Sequence, residues 1–197
     1  MADYRLWPAD VTTAAVFDNT APISQGTEFF VSVTAWATKI WYWRESVAVG
    51  VGPDPVLGQI YRIDGGGLAT PLLVTPVEFA APVALGWQSV SIAPIPLNAI
   101  QRYKTVVHYP NAQYSAYVGN NYWTPGNPGE NGIVNGPLTA VNAADANDGQ
   151  SSYHSGVGLQ YPTDSFAAGN YWIDVTVVDT DPSSSPAKRS AFMSFFE

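Results

Sequence analysis

The chain has no cysteine, so it can build neither a disulfide framework nor a thiolate metal site. At 197 residues it needs no covalent staples, because one domain of that size buries enough surface to stand alone. Charge is scarce: Asp, Glu, Lys and Arg make up 12% of residues, against about 25% in an ordinary globular domain. The eight Lys and Arg are scattered and the net charge is −8, which argues against nucleic acid, whose phosphates demand clustered cations. An anionic membrane would repel the chain as well. No run approaches the roughly 18 uninterrupted apolar residues of a membrane span. The opening Met1-Ala2-Asp3-Tyr4-Arg5-Leu6-Trp7-Pro8 lacks the basic start and apolar stretch of a secretory signal. The expectation is a chain made in a cytoplasm without an export signal and without membrane insertion.

What the chain does contain is aromatic residues, glycine, proline and uncharged polar residues. That mixture describes strands joined by tight turns rather than helices, whose exposed faces draw on Glu, Lys and Arg. Period-two alternation predicts strands near Phe29 to Thr34, Thr38 to Arg44, Gly58 to Ile63, Leu72 to Val74, Val77 to Phe79 and Trp87 to Ile92. It predicts others near Gln101 to Tyr109, Tyr114 to Val118, Ser152 to Val157 and Tyr171 to Val178. In the last of these, Tyr171, Ile173, Val175 and Val177 fall on one side and Trp172, Asp174 and Thr176 on the other, the pattern of a half-buried strand. Val118 to Pro137 and Ala140 to Ser151 read as long loops, which in a compact domain are functional or mobile.

Candidate chemistry is thin. His108 and His154 are the only histidines and lie in different segments, so a transition-metal site lacks its three or four converging ligands. Asp145, Asn147 and Asp148, or Asp179 and Asp181, could offer oxygens to a loop-bound calcium, but neither set has the full ligand pattern of an EF-hand loop. Solvated turn acids are the simpler reading, and no cofactor is expected. There is no GxSxG elbow and no GxxxxGK phosphate loop, and no carboxylate sits in a motif that marks it as an acid or nucleophile. The chain is expected not to be an enzyme.

The aromatics carry more information. Because neighbouring strand residues face opposite ways, Ile40 with Tyr42 and Trp41 with Trp43 cannot all enter one core. One pair must meet solvent, a second layer or a partner. Asn121, Tyr122 and Trp123 place two large rings in a Gly/Pro-rich loop, a composition suited equally to glycan contact, to protomer contact or to anchoring the loop. At the ends, Trp7 and the apolar tail with Phe192, Met193, Phe195 and Phe196 are candidates either for added strands or for assembly contacts with other copies or other proteins.

Four blocks in order, Gly86-Trp87-Gln88, Tyr103 to Pro110, Asn135 to Ala140 and Asn170 to Val178, resemble a small all-β domain of unknown function. That family occurs in bacterial surface and secreted proteins and, as a free-standing chain, in virion proteins of actinobacterial tailed phages. The resemblance implies an antiparallel β-sandwich, jelly-roll-like, with long loops and extended termini, and it carries no catalytic residue. It divides the chain into an N-terminal extension or edge strand (1–14), a sandwich domain (15–178) and a Pro/Ser linker with an apolar tail (179–197). It also implies a non-enzymatic virion protein, a minor tail or capsid-decorating component assembled with other virion proteins and with copies of itself. Contact with host-surface polysaccharide would then be its recognition task. The alternative is an extracellular carbohydrate-binding module of a bacterial secreted or cell-surface protein.

Overall fold

The computed structural model describes residues 2–7, 9, 14–45, 54–55, 57–66, 68–81, 85–117, 119, 121–147 and 149–184. Its strands are β1 (Asp3–Tyr4), β2 (Ala14–Asp18), β3 (Ile23–Val31), β4 (Ala35–Arg44), β5 (Leu57–Gly65), β6 (Leu68–Pro71), β7 (Val77–Glu78) and β8 (Gly86–Leu97). They continue with β9 (Arg102–Tyr109), β10 (Gln113–Tyr117), β11 (Ile133–Asn135), β12 (Leu138–Ala140), β13 (Ser151–Ser155), β14 (Asp164–Ser165) and β15 (Ile173–Val178). All pairings are antiparallel. The larger sheet runs β11-β12-β3-β9-β5-β6, with β13 also beside β3; the smaller runs β1-β15-β4-β8; β2 and β10 form a separate ribbon.

The two sheets pack face to face as a β-sandwich. Register places Phe29 opposite Tyr103 on the larger sheet, and Ile40 opposite Val175 and Tyr42 opposite Ile173 on the smaller one. All of these side chains are buried in one continuous core. Gly58 lacks a side chain where the layers approach: a methyl there would meet Phe79 at 3.0 Å and Ile40 at 3.3 Å.

The outer face of the larger sheet is closed by two charged residues rather than left to solvent. Glu28 and Lys104 stand opposite each other and are fully buried. The Glu28 carboxylate accepts the backbone N–H of Asn147 at 3.1 Å, and Lys104 Nζ donates to Ser152 Oγ at 2.7 Å and to the Pro162 carbonyl at 3.3 Å. Each charge thus fastens a long loop onto the sheet, satisfying groups whose burial would otherwise cost several kcal/mol. Beside them, Ser24 Oγ lies 3.1 Å from His108 Nδ1 and accepts the N–H of Gln160 at 3.1 Å. Burial pushes the His108 imidazole below its ordinary pKa. The pair braces a loop beneath the surface.

Two strand expectations need correction, and one strand was not expected. Leu72 to Val74 is a bend, not a strand: the Gln59 side chain takes both the N–H and the carbonyl of Leu73, at 2.9 and 3.0 Å, and Val74 is fully exposed. The pairing strand lies just before it, at β6. The last strand is buried on both faces rather than half-buried, because an N-terminal strap lies over its outer side. Ala14–Asp18, which carries no strong alternation, pairs with β10 along five residues. The loop expected between residues 118 and 137 also ends in β11. Its two-residue turn to β12 places Gly136 at φ 58°, the left-handed conformation such hairpin turns favour.

Candidate functional site

The strap explains where the Trp41 and Trp43 pair goes. β1 adds Asp3 and Tyr4 to the edge of β15. Residues 5–7 then cross the outer face of the smaller sheet, where Asp174 projects. The Asp174 carboxylate accepts the N–H groups of Leu6 at 2.9 Å, Trp7 at 3.0 Å and Val175 at 2.7 Å, and pairs with Arg5 Nε at 3.3 Å. Burial pushes the Asp174 carboxyl up, and Arg5 and the three N–H groups pull against that. The Arg5 guanidinium lies 3.9 Å from the Trp41 ring centre and 4.4 Å from that of Trp87, a cation–π arrangement shielded from solvent. Trp41 Nε1 donates to Thr176 Oγ1 at 2.7 Å and Trp43 Nε1 to Glu45 at 2.6 Å. Trp43 is thus buried and Trp41 half-buried, both engaged by contacts within the chain.

Trp7 packs among neighbouring rings, with ring centres at 5.5 Å from Trp172, 6.0 Å from Trp123 and 6.4 Å from Trp87. It is buried by its own domain. Phe192, Met193, Phe195 and Phe196, the other assembly candidates, lie outside the described residues.

Tyr122 and Trp123 are buried as well. Trp123 is 1% exposed; its Nε1 donates to Ser151 Oγ at 3.0 Å, and Tyr122 OH accepts from Trp7 Nε1 at 3.3 Å. A hollow of about 320 Å³ is lined by Trp123 with Pro125, Glu130 and Asn142, although the indole is almost wholly buried. Asn121 is exposed with φ 56°. Of the two rings and the amide, only the amide reaches solvent, so a sugar finds no stacking platform here and the rings anchor the loop.

Among the described residues no group of three or more His, Asp or Glu gathers as metal ligands. Asp181 caps the 3₁₀ turn Pro182–Ser184 through the N–H of Ser183 at 2.8 Å, and Asp179 accepts from Tyr4 OH at 3.3 Å and Thr180 Oγ1 at 3.1 Å. The Asp145 N–H is held by Asn142 at 2.9 Å, and Asp148 lies outside the described residues.

The aromatic surface that is open to solvent lies elsewhere. Tyr114 on β10, Tyr153 on β13, Tyr171 before β15, Phe166 on the preceding turn and Asn19 after β2 line a cleft of about 170 Å³. The Tyr114 and Tyr171 rings meet edge to face at 5.8 Å. Burial raises both phenols, and Tyr153 lies near enough to add repulsion to each. Phe166 is 60% exposed, a large apolar ring left facing water. No single stretch of sequence announces this cleft. The one local sign is an apolar ring set in the turn cluster Thr163-Asp164-Ser165-Phe166-Ala167-Ala168-Gly169.

A two-layered antiparallel sandwich with an aromatic cleft at the edge of its β2–β10 ribbon is thus the class of domain present. Residues 9–173 match the model of the family described as a domain of unknown function, DUF4082, and the chain belongs to that family. No curated protein and no solved structure matches it. Among the described residues, no helix is long and apolar enough to cross a membrane.

Proposed function

We propose that the chain is a non-enzymatic display domain of a tailed-phage virion, a minor tail or capsid-decorating protein, which touches host-surface glycan through the Tyr114/Tyr153/Phe166/Tyr171 cleft. The observation that carries the glycan contact is the cleft itself: tyrosine rings and an exposed Phe166 supply apolar faces, and phenol hydroxyls with the Asn19 amide supply donors and acceptors at their edges. Sugars present the same combination of apolar C–H faces and rims of hydroxyls. A rigid sandwich suits the task, because side chains held by packed strands keep their geometry without the cost of ordering on binding. Weak single contacts gain strength from copy number on a particle, where later contacts become intramolecular.

The virion setting is suggested by the ordered blocks Gly86-Trp87-Gln88, Tyr103 to Pro110, Asn135 to Ala140 and Asn170 to Val178, which resemble a family that occurs in bacterial surface proteins and also, as a free-standing chain, in tailed-phage virions. Membership of DUF4082 equally suits a carbohydrate-binding module of a bacterial secreted or surface protein, and the cleft would serve either. Retention of the purified protein on immobilised host cell-wall polysaccharide tests the contact. Tyr153→Ala, on a partly exposed strand position packed against the core, is expected to lose retention while still unfolding in one cooperative transition, at a somewhat lower melting temperature. Equal retention of both proteins would remove the cleft from the account. Antibody labelling of intact particles tests the setting, and absence of the protein from particles leaves the module reading.

A further inference from the structure

We infer that the cleft is one half of a two-position groove for an uncharged oligosaccharide, with Phe166 as the wall between adjacent sugar units. The inference rests on the glycan-contact reading above and adds the length and charge class of the ligand.

A second hollow, of about 100 Å³, lies against the first: Phe17, Ala116, Tyr117 and Gly169 line it alone, and Tyr114, Phe166 and Tyr171 border both. Each hollow is well below the roughly 300–1,000 Å³ of a pocket that encloses a whole drug-sized ligand. Each suits one small ring, and their common border makes a continuous track for two. In the second hollow Phe17 stacks on Tyr114 at 5.8 Å, so rings continue along its floor.

Phe166 is held in place by strain. Ala167 and Ala168 follow it at φ 48° and 45°, a left-handed conformation that costs an L-residue about 1–2 kcal/mol. Such geometry persists only where the surroundings over-determine it. Here the N–H of Asn121 donates to the Ala167 carbonyl at 2.7 Å and that of Trp123 to the Ala168 carbonyl at 3.2 Å. The buried Tyr122/Trp123 plug therefore has a role in the groove: it clamps the turn that lifts Phe166 into solvent.

Charge sets the ligand class. No Lys, Arg, Asp or Glu is among the described residues lining either hollow. The nearest charges by position are acidic: Asp18, between Phe17 and Asn19, and Asp164, paired with Tyr153 across β13 and β14. A uronate or phosphate-bearing sugar would meet repulsion without a compensating cation. A neutral unit meets hydroxyls and rings.

Isothermal titration of the full chain with neutral cello-, chito- and galacto-oligosaccharides of one to four units tests the inference, alongside oligogalacturonate and a proline-rich peptide. In the series that binds, affinity should rise about tenfold from one unit to two and then level off. Gly169→Leu, which adds a side chain at the second hollow, should flatten that step; Phe166→Ala should weaken the two-unit ligand. A thermal melt confirms that each variant folds. Binding without a length step in the wild-type protein would overturn the two-position groove while leaving glycan contact standing. Failure of every saccharide would sink the glycan reading and this inference with it. Preference for the galacturonate would overturn the charge class, and preference for the peptide would overturn the ligand class.

Discussion

The backbone N–H of Trp7 donates to the carboxylate of Asp174 at 3.0 Å, joining positions 167 residues apart in the chain. Asp174 is the second residue of β15 and would be solvent-facing if the sandwich had only two layers. The strap makes it a buried anchor, and Arg5, held between Trp41 and Trp87, closes the site.

Replacing Asp174 with Asn puts an amide donor where Oδ2 accepts the Trp7 N–H and leaves Arg5 without its counter-charge. Breaking a buried pair from one side costs about 3–5 kcal/mol, so a loss of roughly 6–20 °C in melting temperature is expected. Trp7 should become wet, shifting tryptophan emission to the red. A variant with the wild-type melt and emission would mean that the strap is held by its rings alone.

Gly136→Ala should destabilise for two separable reasons. Its φ of 58° is unfavourable for alanine, and the new methyl would run into the Tyr4 ring. The left-handed term is about 1–2 kcal/mol, and the clash adds to it. Adding Tyr4→Ala should recover the clash and not the backbone term, so urea denaturation of the two single variants and the double variant should show non-additivity. Strict additivity would place Tyr4 away from the turn.

Ala167→Gly and Ala168→Gly should each stabilise the fold by about 0.5–1 kcal/mol, since glycine relieves the left-handed strain at some cost in unfolded-state entropy. The same changes loosen the turn that carries Phe166. Higher stability paired with weaker oligosaccharide binding is the expected signature; a fall in stability would mean that the two alanines are not strained.

Acid should weaken the domain through His108. Burial lowers its folded pKa beneath the ordinary 6.5, so the unfolded chain takes up a proton first as pH falls. Stability from this group is complete above 6.5 and declines below it, until the folded pKa is passed. Chemical denaturation from pH 8 to pH 5 should show this slope in the wild-type protein. His108→Asn, which keeps an amide near Ser24, should show a shallower one; identical slopes would clear His108 of the effect.

Much of the sandwich was legible in advance because it rests on local rules. Ile173, Val175 and Val177 alternate toward the core as their spacing implies, and the Ile40/Tyr42 pair separates from Trp41/Trp43 as strand geometry demands. The bend at Leu72 to Val74 was not legible, since it depends on a side chain thirteen or fourteen positions away, Gln59. For Tyr122 and Trp123 the sequence leaves glycan contact, protomer contact and loop anchoring equally open; the burial that decides for anchoring involves a strap that arrives from the other end of the chain. The cleft was invisible for the same reason. Tyr114, Tyr153 and Phe166 belong to separate segments, and each alone reads as ordinary strand or turn.

Alternation, turn chemistry and sparse charge by themselves determined that this chain folds as antiparallel strands with two kinds of face. Only the tertiary structure decided which outward face is covered, which rings stay wet and what Asp174 is for. The reason is physical: a strand's periodicity is set by neighbours along the backbone, whereas burial of its second face depends on what another segment, free in the unfolded chain, comes to lay against it.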